Sequence, residues 1–288
     1  MDAHLKNPGT NAVAVAAARL FQGLRIGDIE VANRVVMAPM TRSRADEAAG
    51  DIPGSELNIE YYRQRSNAGL IITEGTPVSP LGKGYLATPG IYSDAQVEGW
   101  KKITQAVHDA GSKIVAQIWH AGRVSHPDLT GGAQPVAPSA VQPRGVAYTR
   151  NGKVELPVPQ ALSTEEIAGV VEAFRRGAAN AIRAGFDGVE IHGATGGARD
   201  VSGFDFAGAR QVFKGVYIAN NGYDRDMAID AVGSGRADAV AFGRMYIANP
   251  DLVQRFKANA ALNAPNPQTF YVPGPAGYID YPALAEAA

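Results

Sequence analysis

Cysteine is absent from the 288-residue sequence, which removes disulfides, thiolate zinc sites, iron–sulfur clusters and cysteine nucleophiles. Charge is scarce and balanced, with 27 Lys and Arg against 28 Asp and Glu for a net of −1. No broad basic field exists to attract nucleic acid or an anionic membrane. No apolar run approaches the roughly 20 residues of a membrane-spanning helix. The Ala/Val stretch near the N-terminus is broken by Arg19 and offers no convincing A-x-A cleavage site. A cytoplasmic protein with a flexible tail over residues 1–17 is therefore expected. No G-x-G-x-x-G opens a helix after a strand, which counts against a Rossmann domain. His120, His126 and His192 come without a carboxylate cluster, so no metal site is expected.

What is present is apolar and loop-rich. Apolar residues make up 45% of the chain, enough for a sizeable core, and 33 Gly with 18 Pro punctuate it with turns. The length suits one large α/β barrel as well as two average domains. Along the chain, RVVMAPM (34–40), GLIITEG (69–75), KIVAQIW (113–119), GFDGVEIHG (185–193), KGVYIANNG (214–222) and ADAVAFGR (237–244) read as strands. Helical patterns stand between them over 56–68, 94–110, 163–184 and 224–234, with another near 250–260. Residues 127–160 are rich in Pro and Gly and carry an Asn-Gly turn, which predicts an inserted excursion with a hairpin. Helix-then-strand alternation over this length predicts a parallel α/β barrel filling residues 18–288 as one domain.

In such barrels, binding and catalytic groups sit at the carboxyl ends of the strands. Here those positions hold Pro39, Met40 and Thr41; Glu74 and Gly75; Gln117, Trp119 and His120; His192; Asn220, Asn221 and Gly222; and Gly243 and Arg244. The last two groups combine small residues for close backbone approach with a guanidinium, a pattern suited to a phosphate-bearing ligand. The alternative is that these glycines only shape turns.

The runs RVVMAPMTRSRA, GLIITEGT, KIVAQIWHAGRVSHPDL, GFDGVEIHGA, YIANNGYD, ADAVAFGRMYIANPDL and TFYVPGPAGYIDYP, in this order, resemble the Old Yellow Enzyme family. The resemblance implies an eight-stranded (β/α)8 TIM barrel with FMN at its mouth. It implies reduction by NADPH or NADH and reoxidation by a small activated alkene, an enone or a nitroalkene. On this basis Pro39, Met40 and Thr41 line the flavin, with the Thr41 hydroxyl near a ring carbonyl. Gly75 and Gln117 contact the ring, the Gln through both its amide donor and its acceptor. Asn221, Gly222, Gly243 and Arg244 hold the phosphate. His192 donates a hydrogen bond to the substrate oxygen, and Tyr85, Trp119 and Thr195 complete the pocket.

The sequence departs from that family after Ala194. Strands five and six with their helices, on the order of 60 residues at about 250 per eight units, have no counterpart before the strand at 215–220, which matches the seventh. Thr195 replaces the second hydrogen-bond donor, Gly197 stands at the position of the tyrosine proton donor, and no arginine matches the one that faces the flavin. Either the protein carries a stretch between Ala194 and Thr195 that this sequence leaves out, or the deletion is genuine. A closed six-stranded barrel needs a different radius and stagger, so simple excision is expected to leave two unpaired edges. Three readings follow: an ene-reductase, a flavin-binding barrel with impaired or no turnover, and an unrelated phosphate-binding lyase or isomerase.

Overall fold

The computed structural model describes residues 18–193 and 205–284; the tail at 1–17 and the segment at 194–204 lie outside the described residues. A short antiparallel pair, β1 (Leu24–Ile26) and β2 (Ile29–Val31), precedes the first barrel strand β3 (Val35–Met37). Helix α1 (Glu56–Gln64), β4 (Leu70–Ile72), the two-residue β5 (Thr76–Pro77), α2 (Asp94–Asp109) and β6 (Lys113–Trp119) follow. The Pro/Gly-rich excursion contains β7 (Val136–Ala137), the hairpin of β8 (Val146–Thr149) and β9 (Gly152–Glu155), and β10 (Gln160–Ala161). The chain then forms α3 (Thr164–Arg183), β11 (Gly188–Ile191), α4 (Phe206–Val212), β12 (Ile218–Ala219), α5 (Arg225–Gly233), β13 (Ala239–Phe242), α6 (Arg244–Ala248) and α7 (Leu252–Ala258).

The helices begin where their sequences allow. Ser55, Ser93 and Ser163 each accept a hydrogen bond from the backbone N–H three residues on. The side chains of Asn58, Gln96 and Glu166 in turn each accept one from the capping residue's N–H. These reciprocal caps satisfy donors that the helix itself leaves open. Helix α2 turns Val97, Trp100, Ile103 and Val107 into the core, the spacing of one helical face.

The main sheet is parallel and runs β11-β6-β4-β3-β13-β12, with β5 also paired to β6. Its strands are short and apolar, as expected where helices cover one face and packed side chains the other. Gly69 allows the closest approach: a Cβ there would lie 2.0 Å from the Asn33 carbonyl oxygen. The Asn33 side chain accepts from the N–H groups of both Val35 and Gly69, tying β3 to the start of β4.

Among the described residues the barrel is not closed: β11 and β12 end the sheet on either side, and neither has a second strand partner there. The expected strand over 214–222 shrinks to Ile218–Ala219, because only β13 offers it a ladder. The flank at this opening is apolar. Ile191 is 67% exposed and Val171 63%, with Ile167, Ile182, Val189 and Phe213 also exposed. On α3, Ile167, Val171 and Ile182 recur at helical spacing and so share one stripe. This is the face that two further βα units would cover.

Candidate active site

Strand register gathers the predicted residues on one rim. Since β11, β6, β4, β3, β13 and β12 are parallel neighbours, their carboxyl ends lie side by side. Read along the rim, the order is His192, then Gln117 and Trp119, then Gly75, then Pro39 to Thr41, then Gly243 and Arg244, then Asn221 and Gly222.

The centre of the rim is tightly built. Gly75 is buried, and a Cβ on it would lie 3.3 Å from Trp119 Cε3 and 3.4 Å from Gln117 Oε1. A larger residue would take the space between those side chains. The Gln117 backbone N–H donates to Thr73 Oγ1 at 3.0 Å, and its side-chain Nε2 donates to Glu190 Oε1 at 2.6 Å. The resemblance implies both a donor and an acceptor from this amide toward the ligand; in the structure one of its two N–H donors is engaged by Glu190. Trp119 Nε1 is buried without a partner, an unsatisfied donor that a ligand acceptor would relieve. The indole stacks with Tyr85 at 5.6 Å between centroids and lies 6.1 Å from the His192 ring. His192 is half-buried, and its backbone N–H donates to the Ile118 carbonyl at 3.1 Å, which continues the β11–β6 ladder.

Thr41 and Tyr85 meet in a cavity of about 620 Å³ that is also lined by Ser43, Leu86, Tyr148 and Tyr271. No charged side chain lines it, so it favours an uncharged ligand. Tyr148 comes from the β8–β9 hairpin and Tyr271 from the C-terminal segment. Composition gave no reason to single out either; the nearest signals were the Asn-Gly turn beside Tyr148 and the aromatic run TFYVPG around Tyr271.

At the other end of the rim, Asn221 and Gly222 both adopt positive φ, 74° and 79°. A Cβ on Gly222 would meet nothing within 4 Å. The Asn221 N–H donates to the Asn220 side chain at 2.7 Å, so this amide is engaged locally. Gly243 packs against Met40, and Arg244 is exposed at the start of α6. Thr195 and Gly197 lie outside the described residues.

Glu74, a strand-end carboxylate, is not among the residues that line the cavity. It is 2% exposed, and its carboxylate accepts from the Arg42 N–H at 3.0 Å. Burial pushes its pKa up to about 7, while the backbone hydrogen bonds from Arg42 and Ser43 oppose the shift. Its role is to hold the loop that carries Thr41 and Ser43. Among the described residues no group of three or more His, Asp or Glu is placed to bind a metal ion.

The rim fits FMN: Gly75 leaves room beside Gln117 Oε1, the buried Trp119 N–H lacks a partner, and the open glycine turn and the exposed Arg244 stand at the far end.

Comparison with known proteins agrees. Residues 19–197 match the NADH:flavin oxidoreductase / NADH oxidase family. The chain is 33% identical to 12-oxophytodienoate reductase 1 of Oryza sativa subsp. japonica, covering 95% of each. It is 34% identical to a probable flavin mononucleotide-dependent alkene reductase of Leishmania infantum, over 92% of this chain and 97% of that one. Among solved structures, morphinone reductase in complex with tetrahydroNAD superposes with a TM-score of 0.83 at 36% identity, over 93% of this chain and 98% of that one. The Old Yellow Enzyme homologue of Zymomonas mobilis superposes with a TM-score of 0.85 at 34% identity, over 92% and 99%. The alignments to the rice and Leishmania proteins run over 367 and 358 positions, more than the 288 residues here. Those relatives therefore carry internal residues that this sequence lacks, and the family match stops at 197. By the order of its motifs, its barrel and the extent of these similarities, the chain belongs to the NADH:flavin oxidoreductase / NADH oxidase family, as a member of the Old Yellow Enzyme type.

Proposed function

We propose that this chain is an FMN-dependent ene-reductase that uses NADPH or NADH to reduce the C=C bond of a small activated alkene, an enone or nitroalkene. The observation that carries this reading is the single rim that brings His192, Trp119, Gln117, Gly75 and Thr41 into one row, with Gly243, Arg244, Asn221 and Gly222 at its end. The relatives' alkene reductase activity supports it. This reading takes the protein to be cytoplasmic, where NAD(P)H is at hand.

The chemistry supplied by bound FMN would be hydride transfer, coupling oxidation of the nicotinamide to reduction of the alkene. The chain's own residues hold and polarise. Arg244 offers charge-assisted hydrogen bonds to the phosphate, and Gly222 gives it close access to backbone. Pro39 and Met40 close one side of the ring site, and Gly75 keeps the space beside Gln117 open. Thr41 lines the cavity, where its hydroxyl would donate to a ring carbonyl and favour electron acceptance. His192 donates to the substrate oxygen and strengthens that bond as negative charge grows there. Trp119 and Tyr85 stack to form an apolar wall for the alkene. Gly197 has no side chain to give a proton, so the α-carbon takes its proton from water.

The open flank between β11 and β12, next to His192, favours a second reading: a barrel that binds FMN but turns over slowly. Two measurements separate these readings. Flavin absorbance of the purified protein after FMN addition tests binding, and NADPH consumption on addition of 2-cyclohexenone tests turnover. A protein that holds FMN and consumes NADPH only with the enone supports the reductase. Bound FMN with no enone-dependent consumption supports the second reading, and failure to bind FMN rejects both.

A further inference from the structure

We propose that Glu190 is a positioning residue that fixes the side-chain amide of Gln117 with its oxygen turned into the flavin site. This rests on the FMN reading above. Gln117 and Glu190 are register partners on adjacent parallel strands, so both side chains project to the same face of the sheet. The carboxylate can only accept, so the amide must present its NH2 group to it, and the 2.6 Å contact from Nε2 to Oε1 shows that it does. The opposite end of the amide then faces inward, and Oε1 lies 3.4 Å from the place a Cβ on Gly75 would occupy. The backbone of Gln117 is held as well, by the hydrogen bond from its N–H to Thr73 Oγ1, which leaves the amide flip as the remaining freedom.

The site therefore shows an acceptor to its ligand at this point. The flavin ring carries one imide N–H, flanked by two carbonyls, and an inward-facing oxygen matches the N–H where an inward-facing NH2 would clash with its hydrogen. Glu190 makes this choice without touching the ligand, so changing what it offers to Gln117 changes which end of the amide looks inward. A glutamine at 190 offers both a donor and an acceptor and accommodates either orientation. A lysine offers only donors and turns the amide round.

The test is FMN affinity, read from quenching of flavin fluorescence, in parent, E190Q and E190K proteins, each with Gln117 and with Gln117→Ala. Far-UV circular dichroism confirms the fold of each. With Gln117 in place, E190Q should weaken FMN by about twofold, because half of the amides now face the wrong way, and E190K by tenfold or more. In the Gln117→Ala background both changes should fall within twofold of it. The 15N resonance of the imide nitrogen in labelled FMN should differ between parent and E190K when Gln117 is present and coincide when it is absent. Equal losses in both backgrounds, or no loss in either, overturn the positioning role and leave the flavin reading standing. A parent protein that binds no FMN overturns the flavin reading itself.

Discussion

His192 and Arg244 stand near opposite ends of the rim, and their loss should be felt in different measurements. His192→Ala should slow alkene reduction by roughly 10²–10³, because the hydrogen bond it removes is strongest when charge has built up on the substrate oxygen. Flavin reduction by NADPH builds no such charge and should fall much less. Stopped-flow observation of the two half-reactions checks this, and equal slowing of both would assign His192 a structural part. Arg244→Ala should loosen FMN by about 1–3 kcal/mol through loss of charge-assisted bonds to phosphate, read by titration with the cofactor. Glu74 adds a pH dependence of stability. Burial raises its pKa from the ordinary 4.5 to about 7. Between these values the folded protein keeps a proton that the unfolded chain has released, so stability falls as pH rises through this window, by at most about 3 kcal/mol. Glu74→Gln should flatten that slope in urea melts run between pH 4.5 and 7; an unchanged slope would place its origin elsewhere.

At the scale of elements, the C-terminal segment is held to the barrel by cation and ring stacking. Tyr278 stacks on Tyr61 of α1 at 4.1 Å, with the Arg44 guanidinium 4.3 Å from the Tyr278 ring and that of Arg65 3.9 Å from the Tyr61 ring. Arg44 also donates to the carbonyls of Thr269, Phe270, Gly274 and Ala276. This grip sets the position of Tyr271 on the cavity wall. Arg44→Met should cost on the order of 1–3 kcal/mol by leaving carbonyls unpaired, speed hydrogen exchange over 269–277, and raise KM for the alkene more than it lowers kcat. A KM that stays fixed while exchange quickens would separate the segment from substrate binding. The hairpin is tied in a comparable way, through Arg150 to Glu47 and from Glu47 to Lys83, two residues before Tyr85.

Sequence legibility follows this division. Gly75, Gln117 and Arg244 were readable because each ends a short apolar run, and in a parallel barrel a strand end is a site position. The capping serines announced α2 and α3 for the same local reason. Glu190 also reads as a strand-end carboxylate, but its part depends on register with a residue 73 positions earlier, which periodicity on one strand cannot supply. Tyr148 and Tyr271 were missed because long-range contacts, not local pattern, bring their segments to the cavity. The strand over 214–222 read too long because β-rich composition signals pleated backbone, whereas the extent of a ladder depends on a neighbour.

For the whole molecule, the open sheet is the dominant physical fact. Among the described residues, two strand edges and an apolar flank that includes Val171, Ile182 and Ile191 face outward, the arrangement that invites edge pairing and association. A chain of 30.2 kDa should therefore bind anilinonaphthalene sulfonate and show concentration-dependent association in sedimentation, and Val171→Glu combined with Ile182→Lys should reduce both. If the intact mass exceeds 30.2 kDa, a further stretch of chain covers the flank and the dye should not bind. Both outcomes leave the rim from Trp119 to Arg244 intact, since its strands pair with one another and not across the opening. The most direct test of that rim is an anaerobic titration of the FMN-loaded protein followed by visible absorbance. The account expects NADPH to bleach the flavin band and one equivalent of 2-cyclohexenone to restore it, with cyclohexanone formed in matching amount. A band that bleaches and stays bleached after the enone is added, regaining colour only with oxygen, would contradict it.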